Sequence, residues 1–167
     1  VLPVNAPESF NGAVGKFDIK LNTNKTELNA SESLQATVKI SGKGNLKLFS
    51  PPYVQVPSSL EKYDPEYNEK VSTSLTGMKG FISNTYTLVP QYQGKYPVSS
   101  VEFTFFNPQL NKYETINSDD IIINVLEGPL SLDENNINIT NTQSSNNILP
   151  SINQFKFIKT DSDLVKI

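Results

Sequence analysis

Three carboxylates, Asp64, Glu66 and Glu69, gather around Pro65, and Asp119-Asp120 form a second acidic pair. Two facing carboxyl groups can serve as acid and base in glycoside hydrolysis, and clustered oxygens can hold calcium. Neither group has the ordered spacing of a calcium loop, and loop carboxylates are usually solvated. Gly42-Lys43-Gly44-Asn45 has the look of a phosphate cradle, but a cradle leads from a strand into a helix N-terminus. Here a strand precedes and Pro-rich extended chain follows, so the segment reads as a turn. Tyr53, Tyr63 and Tyr67 fall in one loop region and could offer ring faces to a sugar. Most tyrosines of a β-protein are instead core or rim residues with a satisfied hydroxyl. The Asn-x-Ser/Thr matches at Asn24, Asn29 and Asn138 matter only in a eukaryotic secretory protein.

What the chain lacks narrows the chemistry further. It has no His and no Cys, which removes the imidazole base, thiolate nucleophiles and the N/S ligands of zinc, haem and iron–sulfur centres. Any catalysis would rest on carboxylates, Lys, Tyr or Ser. No metal or cofactor site is expected. A formal net charge of −3, with the two signs interspersed, gives no reason to expect nucleic acid as a partner. No disulfide is possible, a composition that suits an oxidising compartment without requiring one.

These residues must be positioned by strands. Ser33 to Ile40 is apolar at every second position, and Phe17, Ile19 and Leu21 alternate with polar neighbours. Side chains of a strand point alternately to opposite faces, so each segment has a dry side and a wet side. The same period recurs at Val71–Leu75, Ile82–Leu88, Val101–Phe106, Tyr113–Ile116 and Ile121–Val125, with a shorter candidate at 60–63. Turn chemistry separates them, notably Asn107-Pro108-Gln109. No segment carries a stripe of period 3.6. The expected fold is all-β: an immunoglobulin-like antiparallel β-sandwich of about eight or nine strands, with an irregular C-terminal extension.

The expected organisation is a linker at 1–12, the sandwich at 13–128, a polar linker at 129–154 and a short segment at 155–167. The linker reading rests on the Asn, Ser and Thr of 133–147, which offer little apolar area for burial. There is no charged n-region with an apolar stretch after it, no run of about 18 apolar residues, and the only Met is Met78. An internal segment of a longer protein is the expectation. Within the sandwich, Gly94-Lys95-Tyr96 precedes an alternating strand. In immunoglobulin-like domains a tyrosine in such a place sends its hydroxyl back to the main chain, so Gly94 and Tyr96 are expected to form a structural corner.

Several short motifs, in order, resemble the BatD family of bacterial oxygen-tolerance proteins. Phe10-Asn11-Gly12-Ala13-Val14-Gly15-Lys16-Phe17 is similar to its F-x-G-A-V-G-x-F block, and Ile40 to Leu46 to its I-x-G-x-G-N-L turn. Tyr63-Asp64-Pro65, Leu88-Val89-Pro90 and Gly94-Lys95-Tyr96-Pro97-Val98 continue the resemblance through Phe105-Phe106-Asn107-Pro108 to Tyr113. Phe155 to Thr160 resembles the family's I-R-F-I-K-T segment, with Lys156 in the Arg position.

The resemblance implies a membrane-anchored protein, with this part on the periplasmic side of the bacterial inner membrane. It also implies partners with von Willebrand A domains or TPR repeats. The family supplies no catalytic residues to carry over, so the expected role is a non-catalytic scaffold. Asp64 or Glu66 is the expected partner contact, completing the metal coordination of a partner's A domain. A carbohydrate-binding or adhesin-type module is the alternative, and an enzyme working through carboxylates ranks last.

Overall fold

The computed structural model describes residues 5–130 with the exception of Thr76. The 155–167 segment, and all of the expected 129–154 linker beyond residue 130, lie outside the described residues. Ten strands follow one another: β1 (Phe10–Thr23), β2 (Glu27–Leu28), β3 (Leu34–Gly44), β4 (Leu60–Lys62), β5 (Glu66–Ser74), β6 (Gly77–Pro90), β7 (Gly94–Val98), β8 (Glu102–Asn107), β9 (Lys112–Asn117) and β10 (Ile121–Val125). The fold is an all-β, immunoglobulin-like sandwich. β1 opens at Phe10, so the last residues of the expected 1–12 linker are already strand.

One ladder runs β4-β6-β3-β1-β8-β9, with β5 also on β6, and a second runs β2-β10-β7. The two layers of the sandwich, one built on β3 and β6 and the other on β8 and β9 continued by β7, β10 and β2, are joined by β1. Its residues 15–23 pair antiparallel with β3, whereas Phe10 and Val14 pair in parallel with β8, across a register shift. β7–β8 and β9–β10 are two halves of one bent hairpin. Val98 faces Ile121 and Glu102 faces Asn117, so the register carries over unchanged across a break of three residues on each side. Side chains mend the break. Val101 N donates to Ser118 Oγ at 2.9 Å, and Ser100 N donates to the Asp120 carboxylate at 2.6 Å.

The buried faces follow the period-2 pattern. Ile19, Ile40 and Ile82 are direct cross-strand neighbours, as are Leu34 and Leu88, and all five are buried. The opposing layer contributes Tyr96, Val98, Phe103, Phe105, Ile123 and Val125. Leu46, Phe49, Val54 and Leu60 close the core from the long connection between β3 and β5.

Phe17 joins these parts. Its ring meets Phe49, Phe103 and Phe105 edge-on, at centroid distances of 5.4, 5.9 and 5.5 Å. Beneath it lie glycines. A Cβ at Gly44 would overlap the Val14 carbonyl and the Phe17 ring, and one at Gly42 would overlap the Lys16 carbonyl. The expected turn at Ser41–Asn45 is therefore corrected: β3 runs on as strand to Gly44, and the turn closes after Asn45, where Leu48 N donates to Asn45 O. Glycine there serves close backbone approach under an aromatic ring rather than chain reversal.

Two further differences have physical reasons. β7 escaped notice because it is short and holds Pro97, which an edge strand tolerates since one side of its backbone needs no donor. β5 alternates in sequence, yet Thr73 and Leu75 are exposed and only Val71 is partly buried. The strand lies at the sheet margin, where alternation has little apolar surface to meet.

Replacing Phe17 with Ala should cost about 3–5 kcal/mol, as expected for an aromatic lost from a packed core. Gly44→Ala should cost about 1–3 kcal/mol through overpacking. Leu75→Ala, fully exposed, should stay within about 0.5 kcal/mol of the parent. Urea denaturation of the three variants checks the order.

Candidate functional site

Asn45 follows the glycine-rich end of β3, and its side chain bonds to the backbone of the chain opposite. Val14 N donates to Asn45 Oδ1 at 2.7 Å, and Asn45 Nδ2 donates to Gly12 O at 2.8 Å. The backbone amide of Asn45 donates to Val14 O as well. These bonds hold β1 at the point where it leaves β8 for β3. The segment is thus a clasp between strands, with no helix after it to receive a phosphate.

The carboxylates of the β4–β5 bend do not converge. Asp64 is exposed in the bend, and Glu66 opens β5 opposite Thr85, also exposed. Glu69 lies on the other face of β5. It pairs with Lys47 at 3.0 Å and accepts a hydrogen bond from the Tyr67 hydroxyl, also at 3.0 Å. These two donors, Lys47 first, hold its carboxyl below the usual glutamate range. Glu114 is lowered too, chiefly because Asn107 Nδ2 donates to it at 2.8 Å. Asp120 is taken up by the hairpin break described above. Among the described residues no group of three or more acidic side chains is placed to hold a metal ion.

Tyr96 is buried, and its hydroxyl donates to Tyr92 O at 2.7 Å, back across the turn that contains Gly94. A Cβ at Gly94 would meet open space, so close packing does not demand glycine there. Tyr53, Tyr63 and Tyr67 are 76%, 51% and 48% exposed. Solvent reaches all three, although the Tyr67 hydroxyl is committed to Glu69.

Among the described residues two surfaces stand out as open to solvent. The first is β5, a nine-residue strand whose only strand partner among the described residues is β6, exposed at every position but Val71. Its other edge offers main-chain donors and acceptors, with Asp64 and Glu66 at its start. The second is the outer face of β1, β3, β5 and β6. Cross-strand register places Lys16, Lys43 and Lys79 side by side there, and four residues further along come Lys20 beside Lys39. Sequence reading missed this face because the lysines are dispersed among acidic residues in chain order. The signal was present in their shared strand parity, but only the register assembles it.

Residues 21–125, more than half of the chain, match the family model described as BatD DUF11 like domain. No curated protein and no solved structure gives a significant match. Among the described residues no helix is long and apolar enough to cross a membrane.

Glu69 and Glu114 set an acid limit on stability. A carboxyl lowered in the folded state contributes stability above its ordinary pKa and loses it as pH falls through the folded value. Stability should therefore decline as pH drops below about 4.5, the ordinary value for these groups. The E69Q/E114Q double variant should show a shallower decline in urea midpoint over the same range.

Proposed function

The chain belongs to the BatD family, and on that premise we propose that it is a non-catalytic interaction module of a membrane-associated, aerotolerance-related protein. In this reading the module stands on the periplasmic side of the membrane and holds partner proteins with von Willebrand A domains or TPR repeats. The observation that carries it is β5. A long strand paired on one side only among the described residues can accept an added strand from a partner, with main-chain bonds giving affinity and side chains giving register. An isolated edge of this kind invites aggregation unless it is blunted. Here Glu66, Glu69 and Lys70 blunt it, which leaves it open to a partner of matching charge.

Asp64 and Glu66 give the reading its sharper form. Both are exposed, neither is held by an ion pair among the described residues, and both stand where β5 begins. Either carboxylate can supply the oxygen that completes an octahedral magnesium site on a partner's A domain. A second reading, a glycan-binding module, draws on the exposure of Tyr53, Tyr63 and Tyr67. It is weaker, since Tyr67 is tied down by its own hydroxyl bond.

A pull-down with an A-domain partner in magnesium tests the main reading. The D64A/E66A variant should retain its fold and lose at least tenfold in partner binding, and chelation of magnesium should produce the same loss. Undiminished capture by D64A/E66A would remove the carboxylate contact. Failure of the parent chain to capture any A-domain or TPR partner would remove the partner assignment itself.

A further inference from the structure

Register on the outer face of the β1-β3-β6-β5 layer produces a lattice of side chains in straight rows. One row is Lys16, Lys43, Lys79 and Ser72. The next is Asp18, Ser41, Phe81 and Lys70, and the third is Lys20, Lys39, Ser83 and Asn68. Six of the chain's fourteen lysines therefore share three rows with a single carboxylate, Asp18. None of the six is in an ion pair among the described residues; the pairs there use Lys25, Lys47 and Lys112. A protein of net charge −3 has concentrated positive charge on one face.

Between the first two rows runs a trough. Two open depressions, of about 500 and 350 Å³, both border Lys79 and Gly80 and lie end to end across the four strands. Gly42 and Gly80 contribute to its lining. One wall is Lys16, Lys43 and Lys79; the other is Asp18, Ser41, Phe81 and Lys70. Three interstrand spacings make it roughly 14 Å long, enough for about four residues of extended chain.

We infer that this trough binds an extended acidic segment of a partner protein, a run of Asp and Glu side chains laid across the strands. This deepens the interaction-module reading and rests on it. Charge complementarity supplies the attraction and sets the partner's sign. The face's other features select among polyanions. An anionic bilayer is gripped through inserted aromatic or aliphatic side chains as well as charge. Here the only aromatic on the three rows is Phe81, half-buried beneath the Lys39 ammonium at 3.9 Å. A sugar or a nucleobase needs a free ring face for stacking, and the exposed tyrosines are not on this lattice. A peptide carboxylate needs only point-charge donors in a linear arrangement, and lysine provides them.

The lattice also carries a cost that the fold alone does not explain. Like charges directly opposite on neighbouring strands destabilise a sheet, and Lys43 has a lysine on each side.

The test uses the full chain and a fluorescein-labelled octaglutamate peptide, with binding read by anisotropy at low salt. The parent chain should bind, and affinity should fall as salt rises. The K16E/K43E/K79E variant should bind at least tenfold more weakly. A charge-matched control away from the trough, K25E/K95E/K112E, should change binding by less than threefold. The milder K43Q should weaken binding about threefold while raising the melting temperature, which covers the case that the triple variant does not fold. Equal losses in both triple variants would reduce the effect to net charge and overturn the inference. So would binding to phosphatidylglycerol vesicles with none to octaglutamate. If the trough variants still capture an A-domain partner at parental affinity, the trough assignment fails while the interaction-module reading stands.

Discussion

The structure depends on one aromatic ring laid over glycine. Phe17 can reach Phe49, Phe103 and Phe105 only because Gly42 and Gly44 keep the neighbouring backbone free of side chains. Those contacts join the layer that contains β3 to the layer that contains β8. β1, which carries Phe17, is also the strand that passes from one layer to the other, and Asn45 holds the passage in place. Ring, glycines and clasp are one device. Loss of any part would loosen the contact between the sheets.

That device accounts for two of the sequence blocks that resemble the BatD family. Gly42-Lys43-Gly44-Asn45 looks like a phosphate cradle when read along the chain, and Phe10 to Phe17 lies well apart from it. In space they face each other across a strand pair, and their polar groups bond to the backbone opposite. A short motif spread over two separated segments can thus mark a packing solution.

Much of the fold was legible because burial obeys period 2. Ile19, Leu34, Val38, Ile40, Ile82, Leu88 and Phe103 sit in the core where alternation places them. The rule has nothing to say at Gly42 and Gly44, which lack side chains, and it is obscured at Pro97, where β7 passes as a loop. It misleads at Thr73 and Leu75, because alternation records which face a residue points to and not whether anything covers that face. The candidate site was less legible. Asp64 and Glu66 could be picked out by type and neighbourhood, but the separation of Glu66 from Glu69 onto opposite faces of β5 follows from strand geometry. The lysine face needed more still, since Lys16, Lys43 and Lys79 are brought together only by pairing between β1, β3 and β6.

The same constraint that fixes the inside leaves the outside free to be specified. A shift of one residue between β1 and β3 would turn Phe17, Ile19 and Leu21 to solvent, so the register is fixed by burial alone. Outer-face residues do not set it and are carried along by it. Three lysines can stand abreast on β1, β3 and β6 because the apolar row behind them holds the strands in place against their repulsion. Moderate salt shortens the reach of that repulsion to about 8–10 Å, so its cost falls on immediate neighbours and does not spread through the sheet. A sandwich with a strongly determined core can therefore hold a concentrated charge on one face without losing its fold.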